Sequence, residues 1–338
     1  MRRFLVIFFV AFVAVFPIQS RGQASRPSLR LVQTIPLPNV KGRIDHFNVD
    51  ISGQRLFISA LGNHTLEAVD LKSEKWTRSL SGLKKPQGVW YVDSLGKLFI
   101  ADGDGADVKV YRGSDLKLIA DIKLDLGPDH VAYDPATKRL YVCYGGEDAG
   151  KNYGEVGIIN AITDQHIGDI RTDAHPAAIV LDKPGRTIFI TVAKTNEVAV
   201  IDARKRQIIL KWAAKAGDPV ALALDEPHHR LFVGARKPPR VVVFDSQSHK
   251  LIASLPSVGL MDDMFFDAAR HRIYVSGGAG FIEVYQEIDP NHYKEIAKIP
   301  TGPIARTSLF VPELNRYYVA VPANSHQGAE IRVYEVEQ

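Results

Sequence analysis

Two Asp-His pairs, Asp45-His46 and Asp129-His130, stand out in this chain of 338 residues, and farther on come an Asp-Asp pair, Asp262-Asp263, and Arg306-Thr307. Side chains of these types support two chemistries. In the first, His46, His130 and Asp263 hold a divalent metal ion and leave a coordination position open for water or substrate. Asp45 and Asp129 then orient the imidazoles from behind. In the second, a histidine beside a carboxylate moves a proton while Arg306 grips an anionic substrate. A third reading has no chemistry: the pairs cap the starts of strands and bind water in a channel. His175 and Asp218 are further candidate ligand-binding groups, with Arg43 just upstream of the first pair.

These residues qualify because of where they fall in a repeat. The apolar phrase RLFISA at Arg55 returns as KLFIAD at Lys97, RLYVCY at Arg139, TIFITV at Thr187, RLFVGA at Arg230, RIYVSG at Arg272 and RYYVAV at Arg316. The steps are 42, 42, 48, 43, 42 and 44 residues. A period of this length built from strands and turns predicts a β-propeller with one four-stranded blade per repeat. Aligned on the phrase, the two residues that open each innermost strand are Asp45-His46, Gln87-Gly88, Asp129-His130, Ala177-Ala178, Val220-Ala221, Asp262-Asp263 and Arg306-Thr307. In a propeller these positions ring the mouth of the central channel. Ionisable groups from four repeats thus meet at a concave centre, which makes that centre the expected site. The ligand set proposed there is Asp45, Asp129, His175, Asp218, Asp262 and Arg306.

The fold class predicted is all-β: seven blades over residues 25–338 in a single domain. The repeated phrases are continuously apolar, as strands covered on both faces must be. The last repeat stops at Gln338 after its third strand, and residues 29–38 carry the pattern of the missing fourth. The N-terminal strand is therefore expected to complete the last blade and close the ring, which removes unpaired edges. Acids that recur at strand ends, Asp50, Asp134, Asp182, Asp225 and Asp267, are read as turn formers that accept backbone N–H groups. Asp70, Asp202 and Asp245 are read the same way.

Residues 188–209, IFITVAKTNEVAVIDARKRQII, resemble the YVTN-type propeller repeat, whose pattern runs Tyr-Val-x-Asn, a turn, then Val-x-Val-Ile-Asp. The likeness spreads over all seven repeats. It implies the fold, and it implies kinship with secreted or periplasmic propellers related to lactonase and haem d1 propellers. It does not imply an activity.

Other features narrow the classes. Residues 1–24 have a basic start, an apolar run from Phe4 to Phe16 and small residues before a cut after Ala24, the layout of a secretory signal peptide. The expected location is periplasmic or extracellular, with no membrane span after cleavage. The net charge of +4 includes Arg2, Arg3 and Arg21, so the mature chain is near neutral and offers no field for nucleic acid. Cys143 is the one cysteine, so no internal disulfide forms. A ten-residue turn, Gly145 to Gly154, is the longest insertion and a candidate lid. DGDGAD at Asp102 reads as an acidic turn and not a calcium loop, since it lacks the closing Glu. RKPPR at Arg236 reads as a solvated basic patch. His228-His229 falls in an edge turn. Two functions fit: a binding module that presents its axial face to a small molecule, glycan or protein, and a metal-assisted hydrolase or lyase acting on a sugar acid or lactone. A monomer is expected.

Overall fold

The computed structural model describes residues 28–338; the signal peptide expected over residues 1–24 lies outside them. Seven sheets of four antiparallel strands follow one another along the chain. Their innermost strands touch in ring order, and that of the seventh blade touches that of the first. Among the described residues there is no α-helix, only five short 3-10 turns, and no helix is long and apolar enough to cross a membrane.

Alternate residues of each apolar phrase feed two different interfaces. Leu56 and Ile58 pack with Val311 and Tyr318 of the seventh blade, whereas Phe57 packs with Leu98 and Ile100 of the second. The same division produces seven buried apolar clusters, one per blade junction. This explains why the phrases read as unbroken apolar runs: a strand side chain faces apolar atoms whichever way it points. The outermost strands, such as Lys75–Leu80, are mostly exposed and carry lysine and arginine, which discourages pairing with another molecule.

The N-terminal strand Leu29–Pro36 is the outermost strand of the last blade. It pairs antiparallel with Glu330–Val336, from Leu29 opposite Val336 to Pro36 opposite Glu330. The ring is closed as the sequence predicts. The strand-ending acids also behave as predicted in four of five blades: Asp50, Asp134, Asp182 and Asp267 accept the N–H groups of Gly53, Ala136, Arg186 and Ala269. Asp102 accepts the N–H groups of Lys84 and Lys85, so the DGDGAD acid is part of a turn.

Candidate functional site

Backbone pairing places the predicted residues in equivalent positions. The N–H of Asp45 bonds to Ser59 and the carbonyl of His46 accepts from it. Asp129 and His130 make the same pair of bonds with Cys143. In blade six the ladder slips between Met261 and Asp263, so Asp262 bulges out while Asp263 faces Ser276. A bulge re-aims side chains. Here it lets two successive acids both serve the pore, Asp262 towards arginines and Asp263 towards histidine.

Blades one and three are not neighbours, yet the rings of His46 and His130 lie 4.0 Å apart between centroids. Gly88 of blade two stands at the equivalent position between them. A Cβ there would sit 2.1 Å from the carbonyl oxygen of Asp129. A residue with no side chain is thus required for blade three to approach. Gly88, His46, His130 and Asp263 all line an inner cavity of about 210 Å³.

Four carboxylates and three guanidinium groups surround the imidazole pair. His46 Nδ1–H donates to Asp263 Oδ1 at 3.2 Å, and Asp263 Oδ2 accepts the N–H of Ser308 at 2.8 Å. His46 Nε2 lies 3.6 Å from Asp45 and 3.9 Å from Asp129. His130 Nδ1 is 3.9 Å from Asp129, too far for a hydrogen bond, and this buried atom has no partner among the described residues. His175 Nδ1–H donates to the Gly145 carbonyl at 3.1 Å, which turns Nε2 to within 3.8 Å of Asp129 Oδ2.

Asp262 is the hub of the cationic half. Arg236 Nη2 donates to it at 2.7 Å, Arg306 Nε lies 2.9 Å away, and Arg43 Nη2 reaches it at 3.4 Å and Asp45 at 3.1 Å. Arg236 was legible only as part of the solvated RKPPR patch, and that reading is corrected. Its Nε donates to the Met261 carbonyl, and its side chain is turned inward onto the pore. The signal was hidden because its partner lies 26 residues on, in the next blade. The Arg306 side chain donates no hydrogen bond among the described residues, and its Nε, though 2.9 Å from Asp262, is buried without one, so the guanidinium keeps unused N–H donors.

The electrostatics split the two histidines. Burial alone would lower His46, but Asp263, Asp45 and Asp129 outweigh it and raise it to about 10. Burial and the charge on His46 together push His130 down to about 4. At neutral pH the pair is one imidazolium and one neutral imidazole. Burial raises Asp45 to about 6, against the pull of His46 and Arg43. Burial would also raise Asp129, but His175, His130 and His46 hold it well below the usual carboxylate range. The site is therefore close to balanced, with three arginines and His46 opposite four carboxylates.

The structure brings Asp45, His46, Asp129, His130, Asp262, Asp263 and Arg306 together. Asp218 lies apart. Its carboxylate pairs with Lys237 at 3.3 Å and lines a cleft of about 510 Å³ shared with His175, Lys194 and Glu147. His175 borders both regions. The long insertion flanks this cleft: Glu147 pairs with Lys194 of blade four, and Asp148 lies 3.5 Å from Lys85 of blade two. Gly146 must be glycine, because at φ +68 a Cβ would sit 2.7 Å from the His175 nitrogen.

The fold and site define a seven-bladed propeller with a charged axial mouth. No family model matches the chain, and no curated protein matches it in sequence. Solved structures do match. A chain of hydrazine synthase from Kuenenia stuttgartiensis is 16% identical with a TM-score of 0.72, over 88% of this chain and 98% of that one. A chain of a mitotic checkpoint complex is 10% identical with a TM-score of 0.76, over 100% of this chain and 99% of that one. One neighbour is thus part of an enzyme and the other part of a protein assembly. At such identities the likeness speaks for architecture alone.

Proposed function

We propose that this protein is an exported binding module that captures a small anionic ligand at the mouth of its central channel. The observation that carries the reading is the convergence of Arg43, Arg236 and Arg306 on the single carboxylate of Asp262, with unused N–H donors on Arg306. Three guanidinium groups held in place by one acid are pre-organised for a planar anion. His46, charged at neutral pH, adds a fourth cation, which shares Asp45 with Arg43. The cleft beside His175 and Lys194 gives room for the rest of a sugar acid, a glycan end or a protein side chain. Export to the periplasm or exterior rests on residues 1–24, and membership of the YVTN-type repeats rests on the seven recurring phrases.

The test uses glucuronate as probe, measured by calorimetry and thermal shift. Arg306→Ala should weaken binding roughly 10- to 100-fold, the scale of a charged hydrogen-bonding pair. The melting temperature should scarcely move, because Asp262 keeps Arg236 and Arg43. Failure of the parent protein to bind glucuronate and simpler carboxylates, or equal binding by the variant, overturns the proposal.

A second reading, a metal-assisted hydrolase or lyase of the lactonase kind, is favoured by one observation. His130 Nδ1 is buried, unpartnered and on a neutral ring, and ligand atoms of His46, His130 and Asp263 lie within 4.8 Å of one another. A divalent ion there must displace the His46 proton, so its affinity should rise as pH is raised towards 10. Purified protein should then contain bound metal that is lost in the His46→Ala plus His130→Ala variant. Metal-free protein that takes up neither Zn²⁺ nor Mn²⁺ at pH 8 removes this reading and leaves the first.

A further inference from the structure

Blade five breaks a rule that four other blades keep. Where Asp50, Asp134, Asp182 and Asp267 accept backbone N–H groups in the turn, Asp225 takes a side chain instead: His228 Nδ1, at 2.7 Å. Its carboxylate makes no other hydrogen bond among the described residues. His228 Nδ1 also lies 3.8 Å from Glu287 Oε1, and His271 Nδ1 lies 3.0 Å from Glu287 Oε2. His228 belongs to the turn after the innermost strand of blade five (Gly217–Asp225). His271 belongs to the matching turn of blade six, after Met261–Asp267, and Glu287 lies near the end of that blade's third strand, Phe281–Asp289. Antiparallel order puts both turns on the face opposite the Asp-His pairs.

Two buried charges here lack a permanent cation. The Asp225 and Glu287 side chains are each only 2% exposed. Among the described residues neither has a lysine or arginine within ion-pair distance; their ionisable partners are His228 and His271 alone. Glu287 Oε1 is buried and accepts no hydrogen bond. An uncompensated carboxylate in such a place costs several kcal/mol, on the order of the effective penalty for a desolvated ion. One ligand atom each from His228, His271 and Glu287 lies within 4.8 Å of the others.

We propose that His228, His271 and Glu287 bind a divalent transition-metal ion of the zinc type at the seam between blades five and six. Two imidazoles and one carboxylate suit zinc rather than magnesium or calcium, which prefer all-oxygen shells. Asp225 lies 2.7 Å from His228 Nδ1, the same atom that is 3.8 Å from Glu287, so an ion bound at Nδ1 displaces that proton and has the Asp225 carboxylate beside it as a further oxygen. The histidine side chains are 36% and 50% exposed, so the ion enters from solvent and water completes its shell. The ion supplies the missing positive charge and ties two blades together without touching the axial mouth.

The full chain is stripped with chelator and titrated with Zn²⁺ by calorimetry, with thermal unfolding followed in parallel. One ion per chain should bind at this seam and raise the melting temperature. His228→Ala plus His271→Ala should remove one bound ion and the associated thermal gain. Glu287→Gln, which keeps the side chain's shape, should weaken this binding roughly 100-fold, and Asp225→Asn roughly 10- to 100-fold. Mg²⁺ should not substitute. The His46→Ala plus His130→Ala variant should keep this ion, which separates the site from the axial one. Stripped protein that binds no Zn²⁺, or a stoichiometry unchanged by losing His228 and His271, overturns the proposal.

Discussion

At the scale of single residues, the most consequential contrast is between His46 and His130. Two like rings in contact cannot both carry charge, and the surrounding carboxylates decide which does. His46 is raised to about 10 from an ordinary value of 6.5, so it binds a proton in the folded chain that the unfolded chain releases. A raised histidine stabilises the fold fully below its unfolded value and loses that contribution as pH climbs through the folded one. Unfolding free energy in urea should therefore fall between pH 7 and pH 10, by on the order of 3 kcal/mol. His46→Gln should flatten that limb; an unchanged slope shows that His46 is not the protonated member. The Asp-His pairs were legible because they break an internal repeat at a position every blade shares. Arg236 was not, since its charge lies in a run that reads as solvated and its partner is set by the next blade's bulge. Gly88 was visible in the alignment, but nothing in the sequence says that a carbonyl from blade three comes so near.

At the scale of elements, the strand Leu29–Pro36 is predicted and found as the outer strand of the last blade. Its place was legible because residues 29–38, LRLVQTIPLP, resemble the fourth strand of blade six, KEIAKIP from Lys294, although the bulge between Leu31 and Gln33 was not. Ile35 is 1% exposed and belongs to the cluster that joins the seventh blade to the first. A chain beginning at Leu37 should lose this strand's packing and leave Glu330–Val336 as a bare edge. Such a chain should melt at a markedly lower temperature and scatter light on concentration; equal stability and solubility contradict the role given to the strand. The long insertion was harder to read. Its length marked it as unusual, but the ion pairs that clamp it, Glu147 with Lys194 and Asp148 with Lys85, cross to two other blades and leave no local trace.

At the scale of the whole molecule, the ring was the most legible feature and the ligand the least. Seven phrases at near-constant spacing fix how many wedges there are, and because alternate residues are buried against opposite neighbours, each wedge is adhesive on both flanks. Neighbours at 16% and 10% identity show how little particular sequence that geometry needs. What the pore does depends instead on a few side chains that the scaffold would tolerate in many other forms. The pairing of Leu29–Pro36 with Glu330–Val336 also has a consequence in time. The earlier strand must wait for the later one, about 290 residues on, which at ~5–20 residues per second is roughly 15–60 s of synthesis. Until Glu330–Val336 has been made, the earlier strand has no mate in its own sheet.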